Sequence, residues 1–314
     1  MTRNRNAKRR PTCRQALRVW RIALLSSALG MVPAPAFAAG TLLHTVDFEA
    51  PGDFHGEDGT YSQVDSNVDT CEYDGTCGTD SLAIIESPEP VRAGKRAVKV
   101  THAKGDLSAR GARAEMKLAQ QLTHEYHVSF WYGFSVFIPN DWQFSSRDHS
   151  LVFQIHAGSS GPGSSPVVGV RIGDNGNWVI TTERDGTPDN QVTDELGTAP
   201  IQKGVWNDWV MHPIWSSVSD VAPSVSDGVL EIWLNGNKLV DKQNWRTLYP
   251  STETDKPTPT LYVKLGYYGA DTNRVLFHDE LRIAKGDGDL SALVSPTSTP
   301  TDGGSEWFRP ISVR

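Results

Sequence analysis

Gly228-Val229-Leu230-Glu231-Ile232-Trp233-Leu234 runs into Asn235-Gly236 and continues through Lys238-Leu239-Val240-Asp241. Asn-Gly suits the two left-handed central positions of a tight hairpin turn, and the flanking runs are rich in β-branched and aromatic residues. Two strands joined by a two-residue turn are therefore predicted. Asn175-Gly176 repeats the pattern between the runs that end at Ile172 and begin at Trp178. Working outward, similar short runs recur between clusters of Gly, Asn, Asp and Pro, and none shows the 3.6-residue period of a capped helix. Strands are predicted at Leu42 to Glu49, Ala97 to His102, Ala112 to Lys117, Tyr126 to Ile138, Ser150 to His156, Val167 to Ile172 and Trp178 to Glu183. Five more follow at Trp206 to Trp215, Gly228 to Leu234, Lys238 to Asp241, Thr260 to Tyr268 and Val275 to Ile283. A dozen strands without helices imply an all-β fold, a β-jelly roll of the antiparallel sandwich type.

The ends of the chain differ in composition from this body. Residues 1 to 21 carry eight basic side chains and no acid, an uncharged stretch Ile22 to Val32 follows, and Pro35-Ala36-Phe37-Ala38 offers small residues for cleavage. This reads as a secretory signal peptide over 1–38, and so as a secreted or periplasmic protein. Residues 39–290 read as one jelly-roll domain, and 291–314, with Ser295-Pro296-Thr297-Ser298-Thr299-Pro300, as a low-complexity tail.

The full chain has 30 Lys and Arg against 37 Asp and Glu, a net charge of −7; without residues 1–38 the basic count falls to 22 and the net charge to −15. So acidic a chain, lacking a basic cluster, does not suit nucleic acid or an anionic membrane. The apolar run is too short to span a bilayer, and a monomer is expected. Cys71 and Cys77, in a Gly- and Asp-rich loop, are expected to form a disulfide after export; a zinc site would need two further ligands at usual spacing. Asp65-Ser66-Asn67-Val68-Asp69 imitates the start of an EF-hand loop, but Thr70 and Thr76 stand where its glycine and bidentate glutamate belong. Asp47 and Glu49 on the first strand and Asp279 on the last could lie side by side and hold a structural calcium ion; solvent-facing edge acids are the alternative.

Three strands depart from a simple greasy-in, polar-out design. In Leu151-Val152-Phe153-Gln154-Ile155-His156, a period of two sets Gln154 and His156 opposite Leu151, Phe153 and Ile155. In Arg113-Ala114-Glu115-Met116-Lys117, three charged residues share a face opposite Ala114 and Met116. In Tyr262-Val263-Lys264-Leu265-Gly266-Tyr267-Tyr268, the residues Tyr262, Lys264 and Tyr268 lie opposite Val263, Leu265 and Tyr267. If these strands are neighbours, their polar faces merge into a surface suited to an anionic ligand. Trp131, Trp142, Trp178, Trp206 and Trp233 on flanking strands and loops could stack on sugar rings.

The set Arg113-Ala114-Glu115-Met116, Gln154-Ile155-His156 and Tyr262-Val263-Lys264-Leu265-Gly266-Tyr267-Tyr268 resembles, in the same order, the R-S/T-E-L, Q-I-H and Y-x-K-x-G-x-Y motifs of the jelly-roll alginate lyases. Trp131 to Pro139 and Gly228 to Gly236 look closer to the glucuronan lyase and heparin lyase I group. The resemblance spans roughly Ala97 to Ile283 and departs at Lys117, where the alginate motif usually has Arg. It implies an endo-acting lyase that β-eliminates an unsulfated uronic-acid polymer of the glucuronan or alginate type, an anionic polysaccharide being its partner. It also implies a catalytic set of Arg113, Gln154, His156 and Tyr268, with Lys264 and Tyr262 as a subsite pair. Lys117, Glu115 and Trp131 complete the expected substrate contacts, Glu115 more as an ionic partner of Lys117 or Arg113 than as a catalyst. No cofactor is required for the chemistry. Glycoside hydrolysis would need two carboxylates flanking the bond, and Glu231-Ile232-Trp233 lacks the partner acids. A non-catalytic lectin would explain the tryptophans but not the ordered Arg, Gln, His and Tyr.

Overall fold

The computed structural model describes residues 40–49, 61–65, 81–105, 107–108, 111–118, 124–145, 149–157, 166–183, 193–216, 228–248 and 261–296, all within the unit Phe37–Arg314. The expected signal peptide and the Cys71–Cys77 disulfide lie outside the described residues, as does the EF-hand-like stretch beyond Asp65.

Two antiparallel sheets make up the fold. The first runs in the order β14 (Asn237–Gln243), β13 (Val229–Leu234), β12 (Trp206–Ile214), β7 (Phe130–Phe137), β16 (Arg274–Lys285), β4 (Arg96–His102), β3 (Leu82–Glu86), with β1 (Thr41–Val46) also paired to β16. The second runs β11 (Thr193–Pro200), β10 (Asn177–Glu183), β9 (Pro166–Gly173), β8 (His149–Ala157), β15 (Leu261–Tyr268), β6 (Gly111–Leu118), β2 (Tyr61–Asp65), with β5 (Leu107–Ser108) beside β6. This is the predicted jelly roll. Both Asn-Gly turns form: Asn235 and Gly236 take φ of 48° and 76°, the pair of left-handed positions that such a turn demands.

The inner faces of the sheets interlock through aromatic rings. Phe134 of β7 stacks on Phe153 of β8 with centroids 3.9 Å apart, and Trp178 of β10 meets Trp209 of β12 edge-on at 5.5 Å. The Trp178 indole N–H donates to Asn207 Oδ1 at 3.1 Å, so its one polar atom is satisfied inside the core. Such ring pairs add about 0.5–1.5 kcal/mol each beyond burial.

Several expectations are corrected. The strand predicted from Tyr126 starts at Phe130, and the first strand stops at Val46. β2, β3, β5 and β11 were not predicted; β11 is polar (TDELGTAP) and lies at the sheet edge against β10. Leu151 does not share the inner face with Phe153, because β8 carries a bulge between them in its pairing with β9: Leu151 opposes Arg171 and Phe153 opposes Val170. The extra residue, Val152, joins the core, and Leu151 turns to the polar face. The chain also stays packed beyond 290. The single-turn helix α1 (Ser291–Val294) buries Val294 against Trp131, Val210 and Ala284, and Arg92 and Arg282 donate to the Pro296 and Ser295 carbonyls at 3.2 and 3.1 Å. The packed part thus reaches Pro296, because a small apolar cluster on the outside of the first sheet needs a cover.

Candidate active site

β6, β15 and β8 are adjacent in the second sheet, so the three patterned strands do merge. Their register sets Tyr268 opposite Arg113, Gly266 opposite Glu115, Lys264 between Lys117 and Gln154, and Tyr262 opposite His156. Directly paired residues point to the same side of a sheet. All eight polar side chains therefore stand on the face turned away from the sandwich core, while Ala114, Met116, Ile155, Val263, Leu265 and Tyr267 fill the core.

Glu115 is the hub of this face. Its Oε1 accepts a hydrogen bond of 2.5 Å from Gln154 Nε2, and its Oε2 lies 3.4 Å from Arg113 Nη1 and 3.6 Å from Lys264 Nζ. Arg113, Glu115, Gln154 and Lys264 are only 6, 2, 3 and 4% exposed, so these contacts are made largely away from water. The carboxylate fixes which end of the Gln154 amide is the donor and restrains two cations whose mutual repulsion would otherwise splay them. Lys264, rather than Lys117, is its second ionic partner, because Lys264 stands one strand nearer Gln154 in the row.

Two aromatic rings flank the hub. The Arg113 guanidinium lies 3.8 Å over the Tyr268 ring. At the other end His156 stacks on Tyr262 at 4.8 Å, and Lys117 Nζ lies 4.4 Å over the same ring. Tyr268, Tyr262, His156 and Lys117 are partly exposed, so the rims of the cluster meet solvent while its centre does not. Gly266 is required at its place: its φ is +137°, and a Cβ there would come within 2.2 Å of the Ala114 carbonyl oxygen. Three cations against one carboxylate leave this patch positive within a strongly acidic chain.

Trp131 does not join the site. It lies on the outer face of the other sheet, 4% exposed, stacked at 4.1 Å on His212 and 6.0 Å from Trp233. Trp206 is also on that sheet, against Phe137, and Trp178 and Trp142 belong to the core. Alternation along a strand gives the side of the sheet but not which sheet, and here the two sheets place the tryptophans apart from the polar cluster. The site does gain a residue that sequence reading missed. Arg171 of β9 opposes Leu151, and its Nε donates to Thr181 Oγ1 at 3.1 Å. The available signal was an arginine two positions from Gly169 in an otherwise apolar strand.

The acids proposed for calcium are engaged differently. Glu49 Oε1 accepts from the Lys95 and Arg96 N–H at 2.5 and 2.8 Å, Asp47 Oδ1 from the Glu49 N–H at 3.2 Å, and Asp279 from the Arg92, Ala93 and Glu280 N–H at 2.8, 3.3 and 2.8 Å. Among the described residues no three His, Cys, Asp or Glu side chains converge as metal ligands. Burial, with Glu280 nearby, pushes the Asp279 carboxyl up to about 8 against the three N–H bonds that favour its charge.

The profile of the family described as polysaccharide lyase matches residues 57–282, the span that holds every strand of the cluster. The chain belongs to the polysaccharide lyase family. No significant match to a curated protein was found. Among solved structures, this lyase resembles an endo-β-1,4-glucuronan lyase from the fungus Trichoderma reesei, at 19% identity and a TM-score of 0.56 over 82% of this chain and 100% of that one. An alginate lyase from a Chlorella virus matches at 15% identity and a TM-score of 0.49, over 78% and 100%. The first likeness supports the jelly-roll architecture of this lyase. Among the described residues, no helix is long and apolar enough to cross a membrane.

Proposed function

We propose that this lyase is an exported, endo-acting enzyme that cleaves an unsulfated polyuronate of the glucuronan or alginate/poly-mannuronate type by β-elimination, leaving 4,5-unsaturated uronate ends. The observation that carries the reading is the convergence of Arg113, Gln154, Lys264 and Tyr268 on one face of three adjacent strands, tied together by Glu115.

The C5 proton of a uronate is feebly acidic because its removal adds a second negative charge beside the carboxylate. A catalyst must neutralise that carboxylate and stabilise the enolate-like intermediate with donors already in place. Arg113 offers a fork of N–H groups, and Gln154 offers its second amide N–H beside the one held by Glu115. Tyr268, with its ring against Arg113 and its edge toward solvent, is placed to take the C5 proton and return one to the departing O4. One residue can do both when H5 and O4 lie on the same side of the ring, as in glucuronate and mannuronate.

Guluronate, inverted at C5, would need a base on the opposite face, a task for His156 with Tyr268 as acid. His156 stands four to five residues along the strands from the level of Tyr268, about 15 Å at about 3.3 Å per residue. It also stacks on Tyr262 rather than toward Tyr268. This arrangement favours elimination by Tyr268 alone, with His156, Tyr262 and Lys117 gripping a neighbouring sugar.

The test is the rise in absorbance near 235 nm from the conjugated double bond, scored on glucuronan, poly-mannuronate, poly-guluronate, mixed alginate, hyaluronan and heparin. Glucuronan or poly-mannuronate should give the highest rate. Tyr268→Phe should abolish the signal with the fold intact, and His156→Ala should raise KM more than it lowers kcat. Substantial turnover by Tyr268→Phe would remove Tyr268 from the chemistry, and a preference for poly-guluronate would restore His156 as base.

A further inference from the structure

The register across the second sheet extends the cationic row beyond the residues described above. Arg113 opposes Tyr268, Tyr268 opposes Leu151, and Leu151 opposes Arg171, so the four stand in one line on one face. Two observations fix the face. A Cβ on Gly169 would meet Leu151 Cδ2 at 2.7 Å and Thr181 Oγ1 at 3.1 Å, and Gly169 itself opposes both Gln154 and Thr181. Leu151, Arg171, Thr181 and Gln154 therefore share the surface that carries the active-site cluster. The bulge at Val152 brings this about by turning Leu151 outward and shifting the register so that Arg171 falls level with Tyr268 and Arg113.

We propose that Arg171 is a second carboxylate-binding residue, which holds a uronate unit next along the chain from the one that reacts. Resting on the polyuronate-lyase reading, it adds where the polymer runs: across the strands, from β6 over β15 and β8 to β9. Arg171 stands two strands from Tyr268, about 10 Å at about 4.8 Å per strand, comparable to a step of one or two sugar units in an extended polymer. The guanidinium is oriented by Nε donating to Thr181 Oγ1 at 3.1 Å and Nη1 donating to the His149 carbonyl at 3.2 Å. Both acceptors are neutral, so neither cancels its charge, and a fork held in a fixed plane suits a carboxylate. Leu151, 2% exposed, and Gly169 form a flat apolar floor between the two arginines, where a sugar ring can lie without meeting a competing polar group.

The experiment compares wild type, Arg171→Ala and Arg171→Lys on size-defined oligomers of the polyuronate that wild type cleaves fastest. Arg171→Ala should raise KM about tenfold or more for the longer oligomers, leave the shortest cleaved oligomer unchanged, and keep kcat within about twofold. Arg171→Lys should recover part of the loss and keep the salt dependence of KM, since it retains the charge without the fork. An equal loss at every length, a loss in kcat, or no change would overturn the proposal. If wild type cleaves none of the polymers, the lyase substrate reading fails separately. Calorimetric binding of poly-mannuronate and glucuronan then decides on Arg171: weaker binding by Arg171→Ala supports it, and equal binding overturns it. A thermal melt on each variant excludes an unfolded protein as the cause of weak binding.

Discussion

Removing the Glu115 carboxylate should cost this protein more than removing any one of the cations around it. In Glu115→Ala, Arg113 and Lys264 would remain at 6 and 4% exposure, with the anion that now lies 3.4 and 3.6 Å away deleted and the Gln154 amide without its acceptor. At an effective dielectric constant of about 20, each pair is worth about 5 kcal/mol in gross attraction, most of which offsets the desolvation of the two ions. What remains on breaking a buried pair is about 3–5 kcal/mol of destabilisation. A domain of this size loses about 2–4 °C in Tm per kcal/mol, so a fall of about 10 °C is expected. Glu115→Gln keeps an oxygen for Gln154 and should lose about half as much. Differential scanning calorimetry reads the stability, and absorbance kinetics read a kcat/KM loss of about a hundredfold from the misplaced Arg113 and Gln154. Because the pairs are buried, 1 M salt should restore little of the stability. A fall in Tm under about 2 °C for Glu115→Ala would show that the two cations do not depend on Glu115, and would refute the reasoning.

Two other outcomes follow from groups outside the site. Asp279, raised to about 8 by burial, binds a proton in the fold that the unfolded chain has released above about 4, so it removes stability as pH rises from about 4 to 8. His278, fully buried and lowered to about 4, acts in the opposite sense between about 4 and 6.5, so the two nearly cancel there. Their joint contribution should fall by about 2 kcal/mol between pH 6.5 and 8, read by urea denaturation at each pH. Asp279→Asn should flatten that slope, and an unchanged slope would assign it to other groups. Trp131→Ala should cost about 3–5 kcal/mol from the cavity beside His212 and Trp233 while leaving kcat/KM within about twofold. A large rise in KM with an unchanged melting temperature would place Trp131 back at the substrate.

How much of this was legible in the sequence depends on what the period of two can carry. It shows which residues share a side of a strand, and for β6 and β15 that was enough, since Arg113, Glu115 and Lys117 and Tyr262, Lys264 and Tyr268 do line one surface. It failed at β8, where a single bulge leaves no mark on composition yet moves Leu151 from core to site. It was silent on β11, whose edge position lets polar residues form a strand without an apolar face. It also could not tell which sheet an outward tryptophan belongs to, hence the misplaced Trp131.

Charge shows the same division between pattern and register. A net charge of −15 without residues 1–38 argues against a polyanion as partner only if charge is spread evenly. Strand order concentrates Arg113, Lys117 and Lys264 within three neighbouring strands around one carboxylate, and the β8–β9 register brings Arg171 level with them. An acidic exterior with a positive strip repels a polyuronate everywhere except along that strip, and so orients the polymer as it arrives. The attraction is then a property of the cleft alone. Added salt should weaken productive binding through KM while leaving kcat, set by groups buried around Glu115, nearly unchanged.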